Sequence, residues 1–220
     1  MNRGTPSHSL EELSEAEWRH HCPSFSVVTL GDKAVIHRQG DIADVAFIIA
    51  RGRVKLSRLN RDGDQFTMAV LTEGQMFGAP LADQSSTTLT DTAEAKGRTV
   101  LYRVLVKELR ELLRSQPLLA WDTIETLSKG QRLLERKLEL MMFHDVRSRL
   151  AETLRDLAGT QGGHCRHGFE LDIKLTQQEL ADLVGAARPV VSTILNEFKS
   201  RGILDYHRTL ICIQNLRALE

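Results

Sequence analysis

Arg188, Ser192, Thr193 and Asn196 stand at i, i+4, i+5 and i+8, so a helix over this stretch gathers a guanidinium, two hydroxyls and a carboxamide toward one side. That set suits the edges of DNA bases. A guanidinium at the leading end of such a helix donates two hydrogen bonds to guanine O6 and N7, worth about 1–3 kcal/mol over a wrong base. Pro189 belongs to the same face; lacking an N–H, it marks a helix start. Thr176, Gln177 and Ser192 have the polar atoms for phosphate contacts, Lys199 and Arg201 add positive charge, and His207 and Arg208 sit where a hairpin tip would reach the backbone.

These residues need a scaffold, and their neighbours supply one. Thr176-Gln177-Gln178-Glu179 is a capping box that opens a helix carrying Leu180, Leu183 and Val184 and stopping at Gly185. A second helix then starts at Arg188-Pro189, with Val191, Ile194, Leu195 and Phe198 at i, i+3, i+4 and i+7 as its buried stripe. Two packed helices without any DNA role would share this pattern. The flanks favour DNA: a strand over Phe169–Ile173 precedes the pair, and runs 203–206 and 209–213 follow as a β-hairpin wing. Upstream, Asp145 to about Leu157 reads as a helix with Val146, Leu150 and Leu154 on one face, and 161–168 reads as a loop.

The rest of the chain divides by texture. Residues 1–24 form an N-terminal segment whose helix candidate, 10–18, has no evident role. From 25 to 116, short β-branched runs (26–30, 34–36, 45–49, 53–57, 66–71 and 99–102) alternate with glycines, predicting an antiparallel sandwich or roll with Asp62-Gly63 as a hairpin turn. Over 117–143, Ala120, Ile124, Leu127, Gln131, Leu134, Leu138 and Met141 make a heptad seam flanked by charges, as a helix pairing with its own copy requires. A single helix buried on the roll is the competing reading, since Trp121, Leu133 and Met142 widen the apolar face. The fold class expected is therefore α+β, with the last domain spanning 144–220.

Lys plus Arg and Asp plus Glu both total 29 in 220 residues, so the chain is formally neutral and DNA binding requires a local patch. No apolar run reaches the roughly 18 residues of a membrane span, and no signal-like core follows Met1, which points to the cytoplasm. Cys22, Cys165 and Cys212 are scattered with no CxxC pair, against a disulfide framework and a four-cysteine metal cluster. Catalytic motifs are absent, so an enzyme is not expected, nor is a bound cofactor.

This order of parts resembles the CRP/FNR family of bacterial regulators, which includes the cyclic-AMP receptor protein. Gly40-Asp41, Phe47-Ile48-Ile49 and Gly52-Arg53-Val54-Lys55-Leu56 resemble its roll signature, and Gly74-Gln75-Met76-Phe77-Gly78 the opening of its phosphate-binding cassette. Residues 143–150 resemble its hinge and 183–192 its recognition turn. The resemblance implies a cyclic-nucleotide-binding-like roll, a homodimer paired through Ile124, Leu127, Gln131, Leu134, Leu138 and Met141, and a palindromic operator in double-stranded DNA. An effector in the roll would reorient the paired helices, and RNA polymerase stands as a candidate further partner.

The departures bear on the effector. Where cyclic-nucleotide-binding members follow Gly78 with a ribose-binding glutamate, this chain has Ala79; where they place a phosphate-binding arginine and a hydroxyl residue, it has Leu89 and Thr90. A buried phosphate then lacks its charged bidentate partner, and cyclic AMP binding in the usual mode is not expected. Leu134 also replaces the hydroxyl offered to the base, and Pro189 replaces a cytosine-reading glutamate, so a different operator is implied. Only Cys22 stands where iron–sulfur members carry a cysteine cluster, and Gly78-Ala79-Pro80 replaces the carbon monoxide sensor's ligands. The alternative is a redox, metal or haem sensor using His20-His21-Cys22 and His164-Cys165-Arg166-His167.

Overall fold

The computed structural model describes residues 9–10, 12–61, 63, 65–79, 88–166, 168–171, 173–207 and 209–219. Chain contacts divide it into two units, one running to Gln65 and including Ala69–Arg132, the other comprising Phe66–Met68 and Leu133–Glu220.

In the first unit α1 (Glu15–His21) begins at a capping box, Ser14 with Glu17, and this fixes its start five residues later than the expected helix at 10–18. Leu10 and Leu13 are instead buried ahead of it. The strands β1 (Ser26–Leu30), β2 (Val35–His37), β3 (Val45–Leu59), β4 (Gln65–Leu71), β5 (Met76–Gly78) and β6 (Thr92–Leu105) form an antiparallel sheet ordered β1-β6-β3-β4, with β2 on β6 and β5 on β3. The runs 45–49 and 53–57, read as two strands, are one. Gly52, at φ +95°, makes an irregularity in the β3–β6 ladder between Arg51 and Arg53 rather than a chain reversal. A Cβ there would meet the Arg98 carbonyl oxygen at 2.6 Å, so only glycine permits the approach. The hairpin turn assigned to Asp62-Gly63 lies between β3 and β4; Asp62 falls outside the described residues.

The two faces of this sheet bury different apolar sets. Ala46, Ile48 and Val104 pack with Trp18, Phe25 and with Leu109 and Leu112 of α2 (Val106–Ser115), while Phe47, Ile49, Phe77 and Leu101 form the other cluster. The helix α2 falls in a stretch read only as part of the roll. Its alternation of buried Val106, Leu109 and Leu112 with charged residues is helical in period, and short enough to hide behind the strand texture.

The helix α3 (Pro117–Phe143) buries only Leu119 and Thr123. Ile124, Leu127, Leu134 and Leu138 are 50–60% exposed, and Met141 41%. Within the single chain the competing reading, a helix buried on the roll, is thus corrected: the seam faces outward.

In the second unit α4 (Val146–Gln161) is capped by Asp145, whose carboxylate accepts from the Ser148 N–H at 2.8 Å. The expected loop at 161–168 proves to be largely strand, β7 (Gly162–Cys165), because its glycines pair with β8 (Gly168–Leu171) instead of turning. Then follow α5 (Gln177–Val184), α6 (Arg188–Ser200), β9 (Leu204–His207) and β10 (Leu210–Ile213), the strands ordered β7-β8-β10-β9. Leu150, Leu154, Leu180, Val184, Val191, Leu195 and Phe198 are buried where α4, α5 and α6 pack together. Fully burying such side chains contributes about 1.5–3 kcal/mol each.

Candidate nucleic-acid interface

The expected capping box is present: Thr176 Oγ1 accepts from the Glu179 N–H at 3.2 Å, and the Glu179 carboxylate accepts from the Thr176 N–H at 2.9 Å. Gly185 ends α5 in the left-handed region, φ 70°, ψ 49°. From α4, Arg149 donates to the Gly185 carbonyl oxygen at 3.1 Å, which ties the turn between the helices to a third element. Pro189 lies in the first turn of α6, after Ala187 as cap.

The polar face that results is open. Arg188, Pro189, Thr193 and Asn196 are exposed and Ser192 half-buried, opposite buried Val191, Ile194, Leu195 and Phe198. Among the described residues the Arg188 guanidinium has no partner, so both donor edges are available. Val190, 44% exposed, also stands at this leading end, a residue the sequence reading passed over. Its position off the buried stripe was the available signal, and a branched methyl pair there suits a thymine methyl group.

Other members of the expected set are engaged inside the unit. Thr193 Oγ1 donates to the Pro189 carbonyl oxygen at 3.0 Å, and the Tyr206 hydroxyl of β9 donates to Asn196 Oδ1 at 2.7 Å, so the wing orients the carboxamide. Lys199 Nζ lies 2.6 Å from Asp205 Oδ1 and 5.5 Å from the Tyr206 ring centre. Donation by that ammonium holds the Asp205 carboxyl below its ordinary range. Arg201 lies 4.0 Å from Glu197, which Arg147 of α4 also engages; the Arg147 hydrogen bond is the chief reason the Glu197 carboxyl titrates low. Thr176, Gln177, Lys199, Arg201 and His207 all lie on the surface or half-buried. Arg208 lies outside the described residues.

In the roll, Ala79 and Leu89 are buried in one apolar cluster. Gly78 has φ +95°, and a Cβ on it would stand 2.7 Å from the Val45 carbonyl oxygen. Thr90 is not bare: Arg58 of β3 donates through Nη2 to its Oγ1 at 2.8 Å and through Nε to its carbonyl oxygen at 2.9 Å. Sequence reasoning missed this guanidinium, which arrives from 32 residues upstream. It also missed His37, a buried imidazole whose Nε2 lies 2.7 Å from Asp91 Oδ1, whose Nδ1 has no partner among the described residues, and whose ring sits beside Phe47 and Phe77.

Among the described residues the histidines and cysteines of the two expected clusters do not gather into a metal site. Cys22 is fully buried, and burial pushes its thiol up to about 11. The His20 and His21 rings meet edge to face, and His164 packs on Phe169. Among the described residues no three metal-ligating side chains cluster. His167 and Pro80 lie outside them. Nor, among those residues, is any helix long and apolar enough to cross a membrane.

An antiparallel sheet, a long helix and a helix–turn–helix pair followed by a β hairpin thus succeed one another along the chain. Comparison with known proteins agrees. A model of the cyclic nucleotide-binding domain matches residues 27–116, and a model of the Crp-like helix-turn-helix domain matches 148–220. The chain is 27% identical over 188 residues to the global nitrogen regulator of Nostoc sp., covering 85% of this chain and 84% of that protein. It is 29% identical to the cyclic AMP receptor protein of Thermus thermophilus, over 77% of this chain and 74% of the relative. Among solved structures, TTHA1359 of Thermus thermophilus, a CRP/FNR-family transcriptional regulator, superposes with a TM-score of 0.73 at 25% identity, covering 88% and 96% of the two chains. The chain belongs to the CRP/FNR family of transcription regulators.

Proposed function

We propose that this protein is a homodimeric regulator that binds a palindromic operator in double-stranded DNA and does not respond to cyclic AMP in the usual mode. The observation that carries the DNA reading is the open face of α6, where Arg188 presents a guanidinium with no partner among the described residues, beside Pro189, Thr193 and Asn196. Ser192, Thr176, Gln177, Lys199, Arg201, His207 and Arg208 belong to the same interface. Lys199 and Arg201 reach phosphate by exchanging the carboxylates that hold them.

Pairing through Ile124, Leu127, Gln131, Leu134, Leu138 and Met141 has its support in the outward-facing seam of α3. Symmetry doubles the basic patch that a neutral chain otherwise lacks. On this reading 25–116 is the effector-type domain, 117–143 the dimerisation helix and 144–220 the DNA-binding domain. Work in the cytoplasm and contact with RNA polymerase follow from the same reading.

Against cyclic AMP stand Ala79 and Leu89, two apolar side chains buried where a ribose and a phosphate would need a carboxylate and a guanidinium. Arg58, a cation bonded to that segment, already spends donors on Thr90. Calorimetric titration of the purified protein with cyclic AMP, paired with operator binding in its presence and absence, tests this. The expected result is no saturable heat and unchanged operator affinity; operator binding that tightens with cyclic AMP contradicts it.

A further inference from the structure

Two of the three cysteines meet. Cys165 closes β7 in register with Gly168, and Cys212 lies on β10 opposite Glu170 of β8 on one side and Asp205 of β9 on the other. Their Sγ atoms are 3.4 Å apart, a thiol-to-thiol hydrogen bond although β8 runs between the two strands. Gly168 permits this. It adds no side chain, and a Cβ on it would stand 2.1 Å from the Ile213 carbonyl oxygen, so β8 and β10 approach more closely there than any other residue allows. Both cysteines are half-buried, whereas Cys22 is enclosed in the core of the other unit.

We propose that Cys165 and Cys212 are a reversible oxidation site, closed to an intramolecular disulfide by a low-molecular-weight disulfide, and that closing it weakens operator binding. The second half rests on the DNA-binding reading of α6; the first does not. In the reaction, Cys165 gives up its proton and its sulfur attacks one sulfur of the small disulfide. That S–S bond breaks, one small thiolate leaves, and a mixed disulfide stands at Cys165. Cys212 then gives up its proton and attacks Cys165 Sγ, the mixed S–S bond breaks, and the second small thiolate leaves. The two protons end on the two small thiols, and two electrons have passed from the protein to the reagent. Burial, and then the contact with Cys165, pushes the Cys212 thiol up to about 11, which disfavours it as the first attacker and leaves that step to Cys165.

A disulfide is about 2.0 Å long, so the sulfurs must close by roughly 1.4 Å. The movement draws β10 toward β7, and β9 follows β10 through the registered pairs Cys212 with Asp205 and Ile211 with Tyr206. Those partners hold α6: Asp205 engages Lys199, and the Tyr206 hydroxyl engages Asn196. The bond therefore shifts two residues of the recognition helix through their own contacts.

The test equilibrates the full-length protein with oxidised glutathione, maps disulfides by mass spectrometry after alkylation, and measures affinity for DNA selected by the reduced protein. Expected are a linked Cys165–Cys212 peptide pair within one chain, Cys22 still alkylated, and operator binding weakened roughly fivefold or more and restored by dithiothreitol. Cys165→Ser binds the operator equally with and without oxidised glutathione, and Cys212→Ser stops at a glutathione adduct on Cys165 with no intramolecular link. Cysteines 165 and 212 that remain alkylated, that cross-link two chains, or that pair with no change in affinity overturn the proposal. Reduced protein that selects no DNA overturns the regulator reading instead, while the peptide map alone then judges the thiol pair.

Discussion

Among the described residues Arg188 differs from Lys199 and Arg201 in having no carboxylate to leave. On the proposed reading Lys199 and Arg201 would give up ion pairs with Asp205 and Glu197 to reach phosphate, cancelling part of their gain, whereas Arg188 would meet a base edge with its donors free. Replacing it by alanine therefore removes discrimination more than general attraction. Arg188→Ala is expected to cost about 1–3 kcal/mol on the selected operator and little on a scrambled duplex. Fluorescence anisotropy on the two duplexes checks this, and equal loss on both would contradict the base-reading role. At this scale the sequence revealed what is local: the Thr176 capping box, the Gly185 turn and Pro189 each follow from a residue's own conformational limits. It did not reveal Tyr206 on Asn196 or Arg149 on Gly185, because those bonds exist only once α4, α6 and β9 have packed.

Elements followed their periodicity and departed from it at glycine. Gly52 joined two expected strands into β3, and Gly162 and Gly163 paired as strand where a loop was expected, since a glycine allows turns without demanding them. Three carboxylates of the second unit share one sign on protonation, and Asp156 of α4, pushed up by burial, opposes them. The Ser148 N–H keeps Asp145 low at the cap of α4, Arg147 keeps Glu197 low on α6, and Lys199 keeps Asp205 low on β9. A carboxyl depressed by folding contributes stability above its unfolded value and loses it as pH falls through the folded one. The melting temperature of the DNA-binding unit is thus expected to be flat near neutrality and to fall once pH drops below about 4. Circular dichroism melts across pH check this, and a melting temperature that rises on acidification would contradict the assignment.

For the whole molecule, symmetry carries the account. The heptad spacing of α3 was plain in the sequence, although Trp121, Leu133 and Met142 widen its apolar face. The roll interior was not: His37 with Asp91 and Arg58 with Thr90 are separated by 54 and 32 residues, beyond any local pattern. A neutral chain that binds DNA as two copies should read two half-sites related by a two-fold axis, one helical turn of the duplex apart. Selection of bound sites from a random pool of duplex DNA by the purified protein tests this most directly, with Leu134→Glu as a pairing-deficient control. The account predicts that the native protein enriches an inverted repeat with half-site centres about 10–10.5 base pairs apart, and that the control enriches none. An isolated half-site with no inverted copy, or the same repeat enriched by both proteins, would contradict it.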